Sequence, residues 1–271
     1  MNLNIIILAA GNGKRMHSSI PKVMHKVGGK TMLEHVLISA EKLNPISINV
    51  VINSRTEHIK SDFSKHKVNW YTQLEQKGTA DAVKTVLPDL KKDDHALILY
   101  ADTPLIDYQL LNKFINYMPQ SHVKVLTADL ENPFGYGRII REQAETEKIL
   151  RIVEESEADS KQKNITECNT GIVFSNVGTL EKLIAEVNNN NSKREYYLTD
   201  IVSVASQKNY VVAPLLAKES NSLLGVNDKS QLEKTEQIYQ NNYREKFLKQ
   251  GVTMLDSKSV FFRGDIEIGV D

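Results

Sequence analysis

The first residues that could do chemistry come almost at the start of the chain. Leu8-Ala9-Ala10-Gly11-Asn12-Gly13-Lys14-Arg15-Met16 is followed closely by Pro21-Lys22. Closely spaced glycines let backbone N–H groups approach a phosphate, because no Cβ stands in the way. Lys14, Arg15 and Lys22 would then neutralise its charge. Asp102 lies further on, after the apolar run Leu97-Ile98-Leu99-Tyr100-Ala101 and before Thr103-Pro104-Leu105. A carboxylate beside phosphates suits Mg²⁺, which takes one or two carboxylates and fills its shell with phosphate oxygens and water. Gln73-Leu74-Glu75-Gln76-Lys77-Gly78-Thr79-Ala80 adds amides and a glycine whose paired donors and acceptors could read a base edge. Each feature has a plain structural alternative: a tight turn with surface cations, a capping aspartate, and a polar loop capped by Thr79.

These groups need elements to position them. Short apolar runs at Leu3–Ala9, Ile46–Ile52, Val68–Thr72, Ala96–Ala101 and Val123–Leu130 read as strands. Helical stretches at Thr31–Leu43, Thr56–Lys65, Ala80–Leu87 and Tyr108–Tyr117 alternate with them, and Thr31 with Glu34 fits a capping box. This alternation predicts an α/β fold, a doubly wound and mostly parallel sheet with ligands at the carboxyl ends of its strands. The glycine-rich loop and Asp102 then fall on one edge.

The pattern changes after about residue 130. Gly135–Ile140, Ile149–Val153 and Cys168–Phe174 read as strands joined by polar loops, an insertion laid over the sheet as a lid or substrate floor. Asn188–Asn191 with Ser192-Lys193-Arg194 forms a polar loop, and Tyr196-Tyr197-Leu198-Thr199-Asp200 leads into a helix. A long helix is expected over Asp228–Lys249. Ile266-Glu267-Ile268-Gly269-Val270-Asp271 fits a hexapeptide repeat of a β-helix, or else an ordinary edge strand.

Composition narrows the function classes. Lys plus Arg and Asp plus Glu both number 34, so no global basic footprint marks a nucleic-acid binder. A single cysteine, Cys168, allows no internal disulfide or cysteine metal cluster and reads as a small buried hydrophobe. No apolar run approaches the roughly 20 residues of a membrane span, and the opening run is too short for a signal peptide. A cytoplasmic protein without nucleic-acid or membrane partners is expected. The missing third glycine disfavours a dinucleotide fold, and the absence of GxxxxGK[ST] disfavours a P-loop ATPase. His17, His25 and His35 are not spaced as a metal site.

Taken together, LAAGNGKRM…PKVMH…GGKTML, QLEQKGTADAV, LYADTPL, NPFGYGRI, IVEE, CNTGI, EYYLTDI and GVN resemble the uridyltransferase domain of the bacterial bifunctional N-acetylglucosamine-1-phosphate uridyltransferase/glucosamine-1-phosphate acetyltransferase family. The match spans essentially the whole chain. It implies the Rossmann-like nucleotide-diphospho-sugar transferase fold, with an inserted β-rich sugar-binding lobe. It also implies three parts: a nucleotidyltransferase domain over 1–227, a linker helix over 228–251, and the start of a left-handed β-helix over 252–271. The acetyltransferase β-helix, through which family members form trimers, is otherwise missing, so acetyl transfer is not expected.

The resemblance also implies residue roles. Leu8, Ala9, Ala10 and Gly11 would lie against uracil and ribose, and Gln73, Gly78 and Thr79 would read the uracil. Arg15 and Lys22 would hold the polyphosphate. Tyr100, Ala101 and Asp102 would lie against ribose and metal, while Gly137, Glu154 and Asn169 would hold the N-acetylglucosamine. Asp102 and Asn227 would share one or two Mg²⁺ ions. The implied reaction takes UTP and N-acetylglucosamine 1-phosphate to UDP-N-acetylglucosamine and pyrophosphate, with Arg15, Lys22 and Asp102 as its catalytic residues. Two positions depart from the family: Lys14 stands where threonine is usual, and Ala101 where glycine is usual, putting one more methyl close to the nucleotide. A related sugar-1-phosphate nucleotidyltransferase with another base or sugar, and a non-catalytic nucleotide-sugar binder, are the rival readings.

Overall fold

The strand and helix spacing of the first half is realised in a computed structural model that describes residues 1–142, 148–218 and 221–271. The chain runs β1 (Leu3–Leu8), the short pair β2 (Lys26–Val27) and β3 (Lys30–Thr31), α1 (Met32–Glu41), β4 (Ser47–Asn53), β5 (Asn69–Gln73), α2 (Thr79–Lys84), β6 (His95–Tyr100), α3 (Tyr108–Asn116) and β7 (Val123–Asp129). It continues through β8 (Arg138–Arg141), β9 (Ile149–Val153), β10 (Glu167–Asn176), α4 (Val177–Ile184), α5 (Asp200–Gln207), β11 (Val212–Ala217) and α6 (Lys229–Lys249).

The sheet follows the order β11-β7-β10-β6-β1-β4-β5. β1 lies parallel to both β4 and β6, β4 to β5, and β7 to β11. Only β10 on this path runs antiparallel, between β6 and β7. β1 is buried along its whole length, as a central parallel strand covered on both faces must be. Its side chains still alternate. Ile5 and Ile7 pack with Leu33, Val36 and Leu37 of α1 and Leu111 and Phe114 of α3, whereas Ile6 and Leu8 pack with Val83 of α2, Leu180 of α4 and Ile201 of α5. The doubly wound, mostly parallel α/β architecture is thereby established.

The antiparallel pair β8–β9 joins the sheet through β10, which gives the β-rich insertion its place beside the nucleotide edge. Thr31 caps α1, its Oγ1 accepting from the Glu34 N–H at 3.1 Å. Only half the capping box forms, because the Glu34 carboxylate lies 3.9 Å from Lys30 instead. Among the described residues, no helix is long and apolar enough to cross a membrane.

Three expectations are corrected. The segment expected as an α-helix over Thr56–Lys65 is a 3₁₀ helix, Ser54–Phe63, started by Asn53, whose side chain accepts from Arg55 N–H at 3.0 Å. Its serine, threonine, histidine and aspartate content favours local side-chain bonding over regular α-helix. Second, α4 and β11 form where the sequence pattern predicts no element. β11 contains Pro214, which hides a strand signal and is tolerated here because β11 is an edge strand.

Third, the expected start of a β-helix is not formed, and residues 252–271 contain no strand. One coil has no neighbour to complete its ladder. The segment lies as a strap on α6 instead. The Gln240 side-chain amide donates to Phe262 C=O at 2.8 Å and accepts from Phe262 N–H at 2.7 Å, while Arg244 donates to Val260 C=O at 2.8 Å. Phe262 is buried, 5.0 Å from the Phe247 ring centroid. Beyond it, Gly264 N–H donates to Gly28 C=O at 2.7 Å and Lys30 pairs with Asp265 at 2.7 Å.

Candidate active site

The carboxyl ends of β1, β5 and β6 face one open cleft of about 650 Å³. Ala9 N–H donates to Val51 C=O at 2.8 Å, and the Asn53 side chain donates to Ala10 C=O at 2.8 Å, so β4 holds the glycine-rich loop from behind. Gly13 has φ 60°, and a Cβ there would sit 2.7 Å from Cβ of Lys22. The missing side chain lets the Lys22 stem pass close beneath the loop.

Of the residues singled out by sequence, Leu8, Ala9, Ala10, Gly11, Lys22, Gln73, Gly78, Thr79, Tyr100, Asp102 and Asn227 line this cleft. Lys22 is its electrostatic centre. Its ammonium pairs with Asp102 Oδ2 and donates to Asn227 Oδ1 at 3.0 Å. Asn227 is far away in sequence, but Val226 N–H donates to Asp102 C=O at 2.8 Å and Asn227 N–H donates to Gln231 at 2.7 Å. Those bonds bring the Gly225-Val226-Asn227 turn against the end of β6. One carboxylate and one amide oxygen thus converge on a single cation. That donor set suits a hard divalent ion that keeps water or phosphate oxygens in its shell. Among the described residues, no group of three or more His, Cys, Asp or Glu offers a complete protein cage.

Gln73 is buried, with its amide nitrogen donating to Gly78 C=O at 3.0 Å and Asp81 at 2.7 Å. Only its carbonyl oxygen is left for a base. Gln76, the second amide of the Gln73–Thr79 loop, bridges the cleft mouth: it donates to Ala10 C=O and accepts from Asn12. Gly78 has φ 120°, and a Cβ there would come within 2.6 Å of Tyr196 N. Tyr196 N–H donates to Lys77 C=O at 2.7 Å and Ala80 N–H to Tyr196 C=O at 2.9 Å. The loop between α4 and α5 is therefore stitched to the Gln73–Thr79 loop through backbone.

Arg15, Ala101, Gly137, Glu154 and Asn169 do not line the cleft. Arg15 is exposed on a one-turn 3₁₀ helix, Lys14–Met16, and Lys14 lines the cleft in its stead. Ala101 is fully buried, its methyl packed in the core between Tyr100 and Asp102, which both line the cleft. Gly137, Glu154 and Asn169 do form one cluster. Asn169 N–H donates to Gly137 C=O at 2.8 Å, and a Cβ on Gly137 would lie 3.6 Å from the Glu154 carboxylate.

Thr199, missed by sequence reasoning, donates to Glu154 Oε1 at 2.9 Å. Burial raises the Glu154 carboxyl above its usual range, opposed by the Thr199 hydrogen bond and the Lys193 charge. Asp200 is pushed up to about 6, first by burial and then by the charge of Glu154. Cys168 is buried and its thiol is raised to about 11 by desolvation, as expected of an inert packing group.

Lys193 and Glu195 also line the cleft. Beneath the lobe, Arg138 is almost wholly buried, pairs with Glu155 at 2.7 Å and donates to Tyr136 C=O. Its only sequence signal is an arginine inside an apolar run.

Against known proteins, residues 5–169 match the family model described as the MobA-like NTP transferase domain. Solved structures agree in fold. A UDP-glucose pyrophosphorylase complexed with UDP-glucose is 16% identical over 89% of this chain and 100% of its own, with a TM-score of 0.68. A protein from Bacillus anthracis described as a glucose-1-phosphate thymidylyltransferase, in complex with sucrose, is 18% identical over 87% of this chain and 94% of its own, with a TM-score of 0.66. An inositol-1-phosphate CTP transferase from T. maritima is 14% identical over 87% and 95% of the two chains, with a TM-score of 0.65.

Proposed function

The chain belongs to the MobA-like NTP transferase family, and from that premise we propose that it joins UTP to N-acetylglucosamine 1-phosphate, releasing pyrophosphate and making UDP-N-acetylglucosamine. The observation that carries this reading is the convergence of Lys22, Asp102 and Asn227 beside the glycine-rich loop, with the Gly137–Glu154–Asn169 cluster next to it. The motifs of the uridyltransferase resemblance fall on these two clusters, which supports uracil and N-acetylglucosamine over other partners.

An oxygen of the sugar phosphate attacks the α-phosphorus of UTP. A P–O bond forms there, and the bond to the β-phosphate breaks with its electron pair leaving on pyrophosphate. The attacking oxygen is ionised at neutral pH, so no general base is needed. The obstacle is bringing two polyanions together in line. Lys22 offsets charge at the α-phosphate from a fixed position. Lys14, in the loop, and Arg15, once brought inward, would serve the leaving pyrophosphate. Asp102 and Asn227 would hold Mg²⁺, which supplies further neutralisation of phosphate oxygens. Gln73 would accept from the uracil through its oxygen, and Glu154 and Asn169 would hold the sugar.

Pyrophosphate release from UTP, dTTP and CTP, each with several sugar 1-phosphates, tests the reading. Release confined to UTP with N-acetylglucosamine 1-phosphate, and stopped by chelator, is expected. A different preferred pair would make the chain a sister enzyme, and tight binding with no release would make it a nucleotide-sugar binder.

A further inference from the structure

Three lysines line the cleft: Lys14, Lys22 and Lys193. Lys22 is tied to Asp102 and Asn227. Among the described residues, neither Lys14 nor Lys193 has an ion-pair partner. Lys193 stands apart because it comes from the loop between α4 and α5, which is bonded to the lobe through Glu157 and is built to hold its shape. The Asn191 side chain donates to Glu195 C=O at 2.6 Å and accepts from Glu195 N–H at 3.1 Å. Arg194 N–H donates to Asn191 C=O at 3.1 Å while Arg194 takes φ 54°. Ser192 N–H donates to Glu157 at 3.2 Å, and its hydroxyl bonds the same carboxylate. The next residue after Glu195, Tyr196, is fixed to Lys77 and Ala80.

We propose that Lys193 is a substrate-contacting residue whose ammonium takes the phosphates of the nucleotide sugar from the lobe side of the cleft. The assignment rests on the function proposed above. The loop is anchored at one end beside Gly78, on the base side, and the Lys193 charge reaches both Glu154, on the sugar side, and Glu157, outside the cleft. The phosphates of a nucleotide sugar lie between base and sugar. Glu195, an acidic residue, lines the same cleft. A polyanion passing that carboxylate requires a cation next to it, and the neighbouring residue supplies one. Because the phosphates are present before, during and after bond exchange, the contact holds ground state and transition state alike. It should therefore act on KM and leave kcat nearly unchanged.

The test is binding of UDP-N-acetylglucosamine and of uridine to the full chain, by calorimetry or NMR titration, for the parent and for Lys193→Ala, Lys193→Arg and Lys193→Glu. Lys193→Ala should weaken the nucleotide sugar on the order of tenfold, Lys193→Glu more, and Lys193→Arg little. Uridine, which has no phosphate, should bind all four alike. In turnover, Lys193→Ala should raise KM with kcat preserved. An unchanged affinity for the nucleotide sugar overturns the assignment, and so does an equal loss for uridine, which would mark a structural role. A parent that releases no pyrophosphate from UTP and N-acetylglucosamine 1-phosphate defeats only the reaction assigned above. The comparison is then made with whichever triphosphate the panel selects and its nucleoside. A loss confined to the triphosphate supports the assignment, and an unchanged triphosphate affinity or an equal loss for the nucleoside overturns it.

Discussion

The two halves of the site use charge in opposite ways. On the nucleotide side, Asp102 sits just past the end of β6 and Lys22 opens a 3₁₀ turn, Lys22–Met24, the two paired with each other yet lining the open cleft. On the lobe side, Arg138 is sunk beneath the surface against Glu155, and Glu154 is held by Thr199 behind the cleft wall. The first half keeps its charges for a ligand, while the second uses most of them to build a shape. A lysine, an arginine and a glutamate look equally functional in a sequence. What separates them is whether the fold leaves the paired groups open to the cleft or sinks them behind its wall.

The largest effect should therefore come from the nucleotide side. Asp102→Ala should lower turnover by about 10²–10³-fold with the fold intact, the usual loss for a preorganised charge contact. Lys22→Met should lose turnover similarly but bind Mn²⁺ more tightly in a metal titration, because an ammonium no longer occupies the point where Asp102 and Asn227 meet. Weaker Mn²⁺ binding in that variant would break the assignment of those two residues as metal ligands.

On the lobe side, Arg138→Met should act on stability first. Removing one partner of a buried ion pair leaves the other uncompensated, and with Glu155 partly exposed the cost falls at the low end, roughly 3 kcal/mol by urea unfolding. UTP affinity in the folded fraction should survive, and its loss would erase the distinction between the halves. Glu154→Gln should raise KM for the sugar phosphate several-fold while leaving KM for UTP alone. Equal shifts in both would place Glu154 outside the sugar site.

The smallest effect concerns Asp200. Its carboxyl titrates near 6 in the folded chain against 3.8 in the open. The folded state therefore binds more protons between those values, and the parent loses stability as pH rises through that window. Asp200→Asn should raise Tm at pH 7, with the gain vanishing below about pH 4. A pH-independent difference would mean that burial of that charge is not the cause.

How much was legible in the sequence follows the same division. The five expected strands, β1, β4, β5, β6 and β7, emerge within a residue of their predicted runs. The buried β1 and β6 are the clearest, because a strand covered on both faces needs an unbroken apolar stretch, whereas β2 and β3, two residues each, carry no such signal. Gly13 and Gly78 were readable as glycines, but the reasons they must be glycine are the Lys22 stem and the Tyr196 backbone, neither of which their own neighbourhood in sequence reveals. Gln73 was read as a base reader, while most of its hydrogen bonding secures its own loop. Lys193 escaped notice as a site residue because an exposed loop residue carries no periodicity. β11 escaped because a proline silences the strand signal.

The strap over α6 has a consequence for the pair at the centre of the cleft. The helix begins directly after Asn227 and Asp228 and is roughly 31 Å long at 1.5 Å per residue. Its Glu236 accepts from Gly28 N–H at 2.7 Å, and the strap fastens to the same turn through Gly264 and Asp265, only a few residues beyond Lys22. Chain and bonds thus form a closed hoop that passes through the lysine at one point and the asparagine at another. The turn after Lys22 and the helix that follows Asn227 are tied together at a distance as well as by the direct contact of the two side chains.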